Sequence, residues 1–289
     1  MKLVTFTLGD NTRLGLLRGD QVIDLTSASG GHLPADMLTF LQQGQAALQL
    51  ARDIEQSVEA DLPLAEVKLL APITNPSKVV AIGLNYMDHC REQNVEPPKA
   101  PLIFAKFSTA IVGPGEPIRW DPALTNQVDY EAELAVVMGQ TAKHVPEAEA
   151  LEYVAGYTIC HDVSAIDLQI GDGQWVRGKS LDTFCPLGPY LVTRDEIPDP
   201  HNLAMRCTVN EAVLQNSNTA EMIFRIPFLI AYISRAFTLS PGDVITTGTP
   251  AGVGVFRSPK IFLKGGDVVT IEIEGLGQLT NPCLEAHEA

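Results

Sequence analysis

The chain of 289 residues has little positive charge, because 20 Lys and Arg residues stand against 35 Asp and Glu residues, a formal net charge of −15. Such an excess of negative charge repels nucleic acid and anionic membrane surfaces, so neither is an expected partner. A small anionic substrate can still bind, provided that a metal ion or a few inward-facing basic side chains reverse the sign of the field locally.

Paired cysteines and long apolar segments are also missing. The cysteines are odd in number, widely scattered and without zinc-ribbon or redox spacing, so we expect them to be reduced and mostly buried. They are Cys90, Cys160, Cys185, Cys207 and Cys283. No segment stays apolar long enough to cross a bilayer, and the N-terminus turns polar after a handful of apolar residues. These features predict a cytoplasmic location.

The composition is that of an ordinary globular protein, with 45% apolar and 19% charged residues. A chain of this length can form one large β-rich domain or two smaller ones, and it can bury roughly three quarters of its unfolded surface. A connecting stretch near residue 70 divides the chain, so we predict a small N-terminal α+β domain over residues 1–70 and a catalytic domain over residues 71–289.

Apolar patterning predicts a β-rich α+β fold. Residues 2–24 read as a meander of short strands, and residues 34–58 carry apolar residues at helical spacing, with Gly44 dividing two helices. Later segments alternate short strands with Pro- and Gly-marked turns, and amphipathic helices are predicted after Asn85 and over Thr219–Phe237. Because strands and helices do not alternate regularly, we expect a mixed β-roll or barrel-like core and not a Rossmann sheet.

The stretch "GQWVRGKS", Gly173–Ser180, matches the phosphate-loop pattern. That loop works only where a strand leads through a glycine-rich turn into a helix, yet no helix of useful length fits after it. Bulky residues inside the loop, such as β-branched Val176, also resist the positive φ angles that a phosphate-binding nest needs. The nucleotide reading is therefore rejected, and Lys179 needs another role.

Two carboxylates lie on one face of a predicted strand in "DYEAELAVVMG", because Glu131 and Glu133 are two residues apart. On this stretch alone, an exposed strand face is the favoured explanation of the pair. Asp162 directly follows the apolar run "YVAGYTIC" and could supply a third carboxylate. Three carboxylates suit a hard cation such as Mg²⁺ or Mn²⁺ better than zinc. His161 points away on an alternating strand, so a packing role is favoured for it.

A histidine and a glutamate three residues apart follow a strand end in "GLNYMDHCREQNVEPP". On a helix, this spacing places His89 and Glu92 on one face, where the carboxylate can orient the imidazole for proton transfer. A fortuitous pair on a surface helix is the alternative.

From about Pro72 onwards the chain resembles the fumarylacetoacetate hydrolase family. The similar segments, in family order and spacing, are "GLNYMDH", "DYEAELAVVMG", "HDVSAIDLQ", "WVRGKSLDTFCPLGP" and "TTGTPAGVG". The resemblance implies the fold of that family and a set of site residues. The metal ligands would be Glu131, Glu133 and Asp162, the catalytic residues His89, Glu92 and Lys179, and the substrate contacts Gln169 and Thr249.

One departure from the family concerns Ile166 in "AIDLQ", where relatives commonly carry an arginine that would help to bind an anionic or carbonyl group. Lys106 or Arg177 could compensate for the missing positive charge.

The resemblance further implies hydrolytic C–C cleavage of an acylpyruvate-type 2-oxo acid, through an enolate whose charge Mg²⁺ or Mn²⁺ and Lys179 would stabilise. Oxaloacetate decarboxylation and keto–enol tautomerisation use the same enolate and stay open as alternatives. A non-catalytic binding module is a further alternative. A homodimer is also expected from the family.

Overall fold

A computed structural model describes residues 1–60 and 62–286. Its strands are β1 (Lys2–Leu8), β2 (Asn11–Arg18), β3 (Gln21–Asp24), β4 (Leu62–Pro63), β5 (Lys68–Leu69), β6 (Val79–Gly83), β7 (Leu102–Lys106), β8 (Ile111–Val112), β9 (Ile118–Trp120), β10 (Val128–Asp129), β11 (Ala132–Met138), β12 (Val154–His161), β13 (Ser164–Ala165), β14 (Cys185–Thr193), β15 (Ala204–Val209), β16 (Ala212–Asn218), β17 (Val244–Thr246), β18 (Val268–Ile273) and β19 (Gly277–Glu285). Its α-helices are α1 (Leu25–Ala28), α2 (Met37–Gln42), α3 (Gln45–Ser57), α4 (Met87–Gln93), α5 (Ile166–Asp172), α6 (Val176–Lys179) and α7 (Ile226–Ala236).

Within these described ranges, twelve strands form one mixed sheet. Its order is β4-β3-β2-β1-β14-β12-β11-β17-β6-β7, with β5 added to β1 and β8 added to β14. Five further strands form a second sheet in the order β16-β15-β18-β19-β9, and β10 pairs with β13. The predicted β-rich α+β fold is confirmed, although the large sheet of the described residues ends at β4 and β7 and does not close into a barrel.

The N-terminal hairpin extends the large sheet, because Leu3 of β1 pairs with Leu16 of β2 on one side and with Leu191 of β14 on the other. The apolar residues of helices α2 and α3 pack against this hairpin. Gly44 divides these helices as predicted, and its φ of 67° explains why a glycine stands there. The domain boundary at residue 70 stays a prediction.

The predicted helix over Thr219–Phe237 begins later than expected. Only Thr219–Glu221 forms a short 3₁₀ turn there, and α7 starts at Ile226. Pro227 occupies the first turn of α7, where its missing N–H leaves no hydrogen bond unmade. The proline therefore marks the true start of the helix. No helix among residues 1–60 and 62–286 is long and apolar enough to cross a bilayer.

The centre of the large sheet is the antiparallel pair β11 and β12, in which every residue is buried. Ala132 pairs with His161 and Glu133 pairs with Cys160 at one end of this pair. The register therefore brings the acidic residues at the start of β11 beside the residue that follows β12. A buried, hydrogen-bonded pair of strands is a rigid support for a site.

Candidate active site

Three carboxylates meet at this end of β11 and β12. One oxygen of each of Glu131, Glu133 and Asp162 lies within 4.8 Å of the others. Glu133 and Asp162 are 1% and 0% exposed, so the alternative of an exposed acidic strand face does not apply to them. Uncompensated buried carboxylates are costly, so the cluster needs positive charge.

Two lysines supply part of that charge. Nζ of Lys179 lies 2.8 Å from Oε1 of Glu131 and 2.8 Å from Oδ2 of Asp162. Nζ of Lys106 lies 2.5 Å from Oδ1 of Asp162. Burial alone would raise the pKa of Asp162, but the two ammonium groups outweigh it and hold that pKa below its usual value. The same carboxylates outweigh desolvation at Lys179, raise its pKa and keep it protonated.

The salt bridges of Lys106 and Lys179 go to Asp162 and Glu131 and leave Glu133 without one. Its Oε2 accepts a hydrogen bond of 2.9 Å from the N–H of Gly248, whose φ of 94° favours glycine. Burial, together with the negative charges of Asp162 and Glu131, raises the pKa of Glu133 well above its usual value. A divalent cation would relieve this repulsion, and three carboxylate oxygens are the donors that Mg²⁺ and Mn²⁺ prefer. The residues present therefore fit such an ion.

The histidine and glutamate form the second part of the site on α4. Nδ1 of His89 lies 2.9 Å from Oε2 of Glu92, and Oε1 of Glu92 accepts a 2.9 Å hydrogen bond from the N–H of Gly252. Nε2 of His89 lies 2.8 Å from the side-chain nitrogen of Gln93. With Nδ1–H donating to Glu92, the ring's lone pair is on Nε2, where it accepts a hydrogen bond from the Gln93 amide. The fortuitous surface pair does not apply, because His89 is buried.

Both parts line one cavity of about 230 Å³. Its wall includes His89 and Gln93 from α4, Glu131, Glu133 and Lys179 from the acidic cluster, and the two predicted substrate contacts, Gln169 and Thr249. Oε1 of Gln169 is buried and has no hydrogen-bond partner in the described structure. Glu92 and Asp162 lie behind the wall and reach the cavity through His89 and Lys179.

The stretch with the phosphate-loop pattern contributes Lys179 to this cavity. It enters α6, a helix of only four residues, and the side chain of Lys179 turns inward to the carboxylates. Neither residue expected to compensate for Ile166 reaches the cavity. Lys106 is held by Asp162, and Arg177 forms two hydrogen bonds of 2.6 Å and 2.5 Å with Asp172 at the surface.

Two residues near the site, Gln93 and Asp129, are not among the site residues predicted from the sequence. Gln93 stands four residues after His89 on α4, a spacing that places both on one helical face. Asp129 is buried and accepts hydrogen bonds of 2.7 Å each from the N–H groups of Gly254 and Val255, in the loop that lines the cavity. Helical spacing could have pointed to Gln93. Asp129 had no comparable signal, because Gly254 and Val255 are more than one hundred residues away in the sequence.

A buried carboxylate cluster and a His–Glu pair on one cavity, carried by a sheet-rich α+β fold, define a class of candidate metal-dependent enzymes. The chain belongs to the fumarylacetoacetate hydrolase family, because residues 78–283 match the family model described as fumarylacetoacetate (FAA) hydrolase C-terminal. The family resemblance predicted from the motifs is confirmed.

Three related proteins extend this result. The chain is 52% identical over 288 residues to oxaloacetate tautomerase fahd2, mitochondrial, from Xenopus laevis, and the match covers 98% of this chain and 90% of that protein. Fumarylacetoacetate hydrolase from Exiguobacterium antarcticum has a similar structure, with a TM-score of 0.85, 36% identity and coverage of 99% and 100% of the two chains. Maleylpyruvate hydrolase from Sphingobium sp. SYK-6, solved with manganese(II) and pyruvate, has a TM-score of 0.81, 31% identity and the same coverage.

These comparisons support an enzyme but do not single out a hydrolase, since the relatives include a tautomerase and hydrolases. They also agree with a divalent metal site without identifying the metal. The prediction of a cytoplasmic location is wrong, because it conflicts with the mitochondrial designation of the Xenopus laevis relative. Composition and hydropathy cannot distinguish one aqueous compartment from another, which is why the prediction failed.

Proposed function

We propose that this protein is a divalent-metal-dependent tautomerase that interconverts the keto and enol forms of a small 2-oxo acid. The observation that carries the proposal is that His89, held by Glu92 from behind, and Lys179 line one cavity. The activity named for the Xenopus laevis relative supports tautomerisation over the hydrolytic cleavage favoured from the sequence. Hydrolysis and decarboxylation stay as alternative outcomes of the assay.

Tautomerisation moves one proton between carbon 3 of the acid and the oxygen on carbon 2. His89 has the chemistry of the proton carrier, because Glu92 holds Nδ1 and leaves the lone pair on Nε2, which takes the proton once the Gln93 amide releases it. The electron pair of the broken C–H bond forms the C2–C3 double bond, and the oxygen gains negative charge. Return of the proton from Nε2 to that oxygen completes the enol.

Lys179 acts on the charge of that oxygen. Since its pKa is raised, it stays protonated and serves as a hydrogen-bond donor and positive charge, not as a base. Glu131, Glu133 and Asp162 would hold Mg²⁺ or Mn²⁺, which supplies a Lewis acid for the same negative charge. Gln169 and Thr249 are assigned to the carboxylate end of the acid, where their side chains line the cavity.

The direct test follows the absorbance of enol-oxaloacetate as it converts to the keto form, with Mg²⁺ present, while pyruvate and CO₂ are measured in the same samples. Loss of the enol without pyruvate is expected. The His89→Gln variant should be slower by roughly 10²- to 10⁴-fold, the usual contribution of a positioned acid or base. His32→Gln, a change at an exposed histidine, is the matched control and should leave the rate unchanged.

Other results would replace the proposal. Stoichiometric pyruvate and CO₂ from oxaloacetate would indicate a decarboxylase, and cleavage of an acylpyruvate without enol turnover would indicate a hydrolase. Full tautomerase activity in His89→Gln would remove His89 from the mechanism.

A further inference from the structure

The cavity is polar on the side of the carboxylates and apolar over much of the remaining wall. The apolar part includes Phe104, Ile166, Ile170, Trp175, Val253 and Phe256. Phe104 and Trp175 pack edge to face with ring centroids 5.3 Å apart, so this wall is built from fixed aromatic side chains. Such a surface attracts an apolar group, and it offers no positive charge to an anionic one; the indole N–H of Trp175 is the single side-chain donor among these six residues.

Positive charge is scarce in the cavity. Among the described residues that line it, Lys179 is the only lysine or arginine, and it is already shared between Glu131 and Asp162. Lys106 is buried. Its ammonium group donates one hydrogen bond to Asp162 and another, of 3.2 Å, to the carbonyl of Val163. Arg177 is exposed and paired with Asp172. Both are therefore committed to partners outside the cavity.

The charge balance sets a limit on the substrate. When all three carboxylates of the cluster are ionised, as metal binding requires, they and the ammonium groups of Lys106 and Lys179 leave one net negative charge. A divalent ion would turn this into one net positive charge, enough for the single carboxylate of a 2-oxo acid. Glu92 adds a further carboxylate next to His89. A second carboxylate on the substrate would have no positive partner among the described residues that line the cavity, and a charge placed against an apolar wall loses part of its hydration without compensation.

We propose that the site prefers 2-oxo acids with one carboxylate and an apolar, aryl or branched alkyl, substituent on carbon 3, and that Ile166 and Ile170 discriminate against a second carboxylate. This deepens the proposed function and rests on it. The two isoleucines lie four residues apart on α5 and line the cavity together. The preference differs from that implied by oxaloacetate, the substrate in the name of the Xenopus laevis relative.

The kinetic test compares kcat/KM for tautomerisation of phenylpyruvate and of oxaloacetate with Mg²⁺. The wild type should favour phenylpyruvate by about 10- to 100-fold, the range that a hydrophobic pocket achieves. Ile170→Arg should reduce this ratio by at least tenfold, mainly through a lower KM for oxaloacetate. Ile170 is 72% exposed, so this variant should fold. Ile170→Met, which adds no charge, is the matched control and should keep the wild-type ratio.

A binding test separates this inference from the proposed function. Phenylglyoxylate and oxomalonate are 2-oxo acids without hydrogen on carbon 3, so neither can tautomerise. Calorimetric titration with Mg²⁺ should give tighter binding of phenylglyoxylate in the wild type, and Ile166→Arg or Ile170→Arg should strengthen oxomalonate binding. Tighter oxomalonate binding in the wild type would overturn the inference and leave the proposed function standing. Tighter phenylglyoxylate binding without any tautomerase activity would overturn the proposed function and support the apolar preference of the cavity.

Discussion

Nζ of Lys179 lies 2.8 Å from Oδ2 of Asp162, and both groups are buried. The same nitrogen is 2.8 Å from Oε1 of Glu131, so one ammonium group joins two of the three carboxylates proposed to hold a metal. Lys179 therefore serves the charge balance of the folded protein as well as the proposed reaction.

Replacement of Lys179 by methionine should affect both properties. Turnover should fall by roughly 10²- to 10³-fold, the usual effect of losing one donor to a developing oxyanion. Stability without metal should fall by about 3 kcal/mol, because the buried carboxylate of Asp162 and the partly buried one of Glu131 lose a partner. Urea unfolding and enol turnover measure the two effects. Lys143→Met, at an exposed lysine, is the control. Wild-type values of both quantities in Lys179→Met would contradict the role given to this residue.

Replacement of Glu133 by glutamine should weaken metal binding and spare the fold. Glutamine keeps an oxygen that accepts from the N–H of Gly248. It also removes a buried carboxylate that lies beside the negative charges of Asp162 and Glu131. The Tm without metal should therefore stay equal or rise. Mg²⁺ at 100 times its Kd should stabilise the wild type by about 2.7 kcal/mol and the variant by much less. Glu211→Gln, at an exposed glutamate, should respond to Mg²⁺ like the wild type. An equal Mg²⁺ shift in Glu133→Gln would end the metal assignment.

Replacement of Gln93 by leucine should lower turnover by loosening the position of the His89 ring. The Gln93 amide donates a 2.8 Å hydrogen bond to Nε2 of His89. Glu92 on the same helix and the Phe256 ring, 5.8 Å between centroids, also face His89. Loss of this hydrogen bond should lower kcat by about 5- to 10-fold and leave KM nearly unchanged.

A second variant and a control sharpen this test. Gln93→Glu keeps the shape of the side chain but removes the donor to Nε2, so kcat should fall to a similar extent. Gln49→Leu, at an exposed position of α3, should leave kcat unchanged. Wild-type kcat in both Gln93 variants would show that Gln93 does not position His89.

His201, which does not line the cavity, should make stability depend on pH. Its Nε2 accepts a 3.1 Å hydrogen bond from the N–H of Ile226 at the start of α7, which requires the neutral ring. Burial, with the charge of Arg225, lowers the pKa of His201 against the opposing effect of Asp199. The unfolded chain therefore binds the proton more readily, so this stabilisation is present above about pH 6.5 and is lost as the pH falls.

The comparison with His201→Gln isolates this effect, because glutamine can accept from the same N–H without titrating. The unfolding free energy of the wild type, measured relative to the variant, should decrease between pH 7 and pH 5. His32→Gln, at an exposed histidine, should follow the wild type. A difference between wild type and His201→Gln that stays constant over this range would refute the prediction.

Local sequence signals predicted much of the secondary structure. The division of α2 from α3 at Gly44 followed from a break in helical spacing, and the start of α4 after Asn85 followed from a strand end and turn. The late start of α7 was missed although Pro227 was visible, because the apolar periodicity was extended through the proline. Such features depend on residues within one or two turns of each other, so the sequence contains what is needed to predict them.

By itself, the sequence determined which residue types are available: a run with Glu131 and Glu133, a His–Glu spacing on one helix, and the family motifs. Only the tertiary structure decided how these groups meet. The register of β11 and β12 brings Asp162 to the glutamates, and the placement of β7 and α6 makes Lys106 and Lys179 partners of the same carboxylate. The physical reason is that strand order and burial depend on contacts between distant segments, whereas local patterning fixes only the direction of each side chain on its own strand or helix.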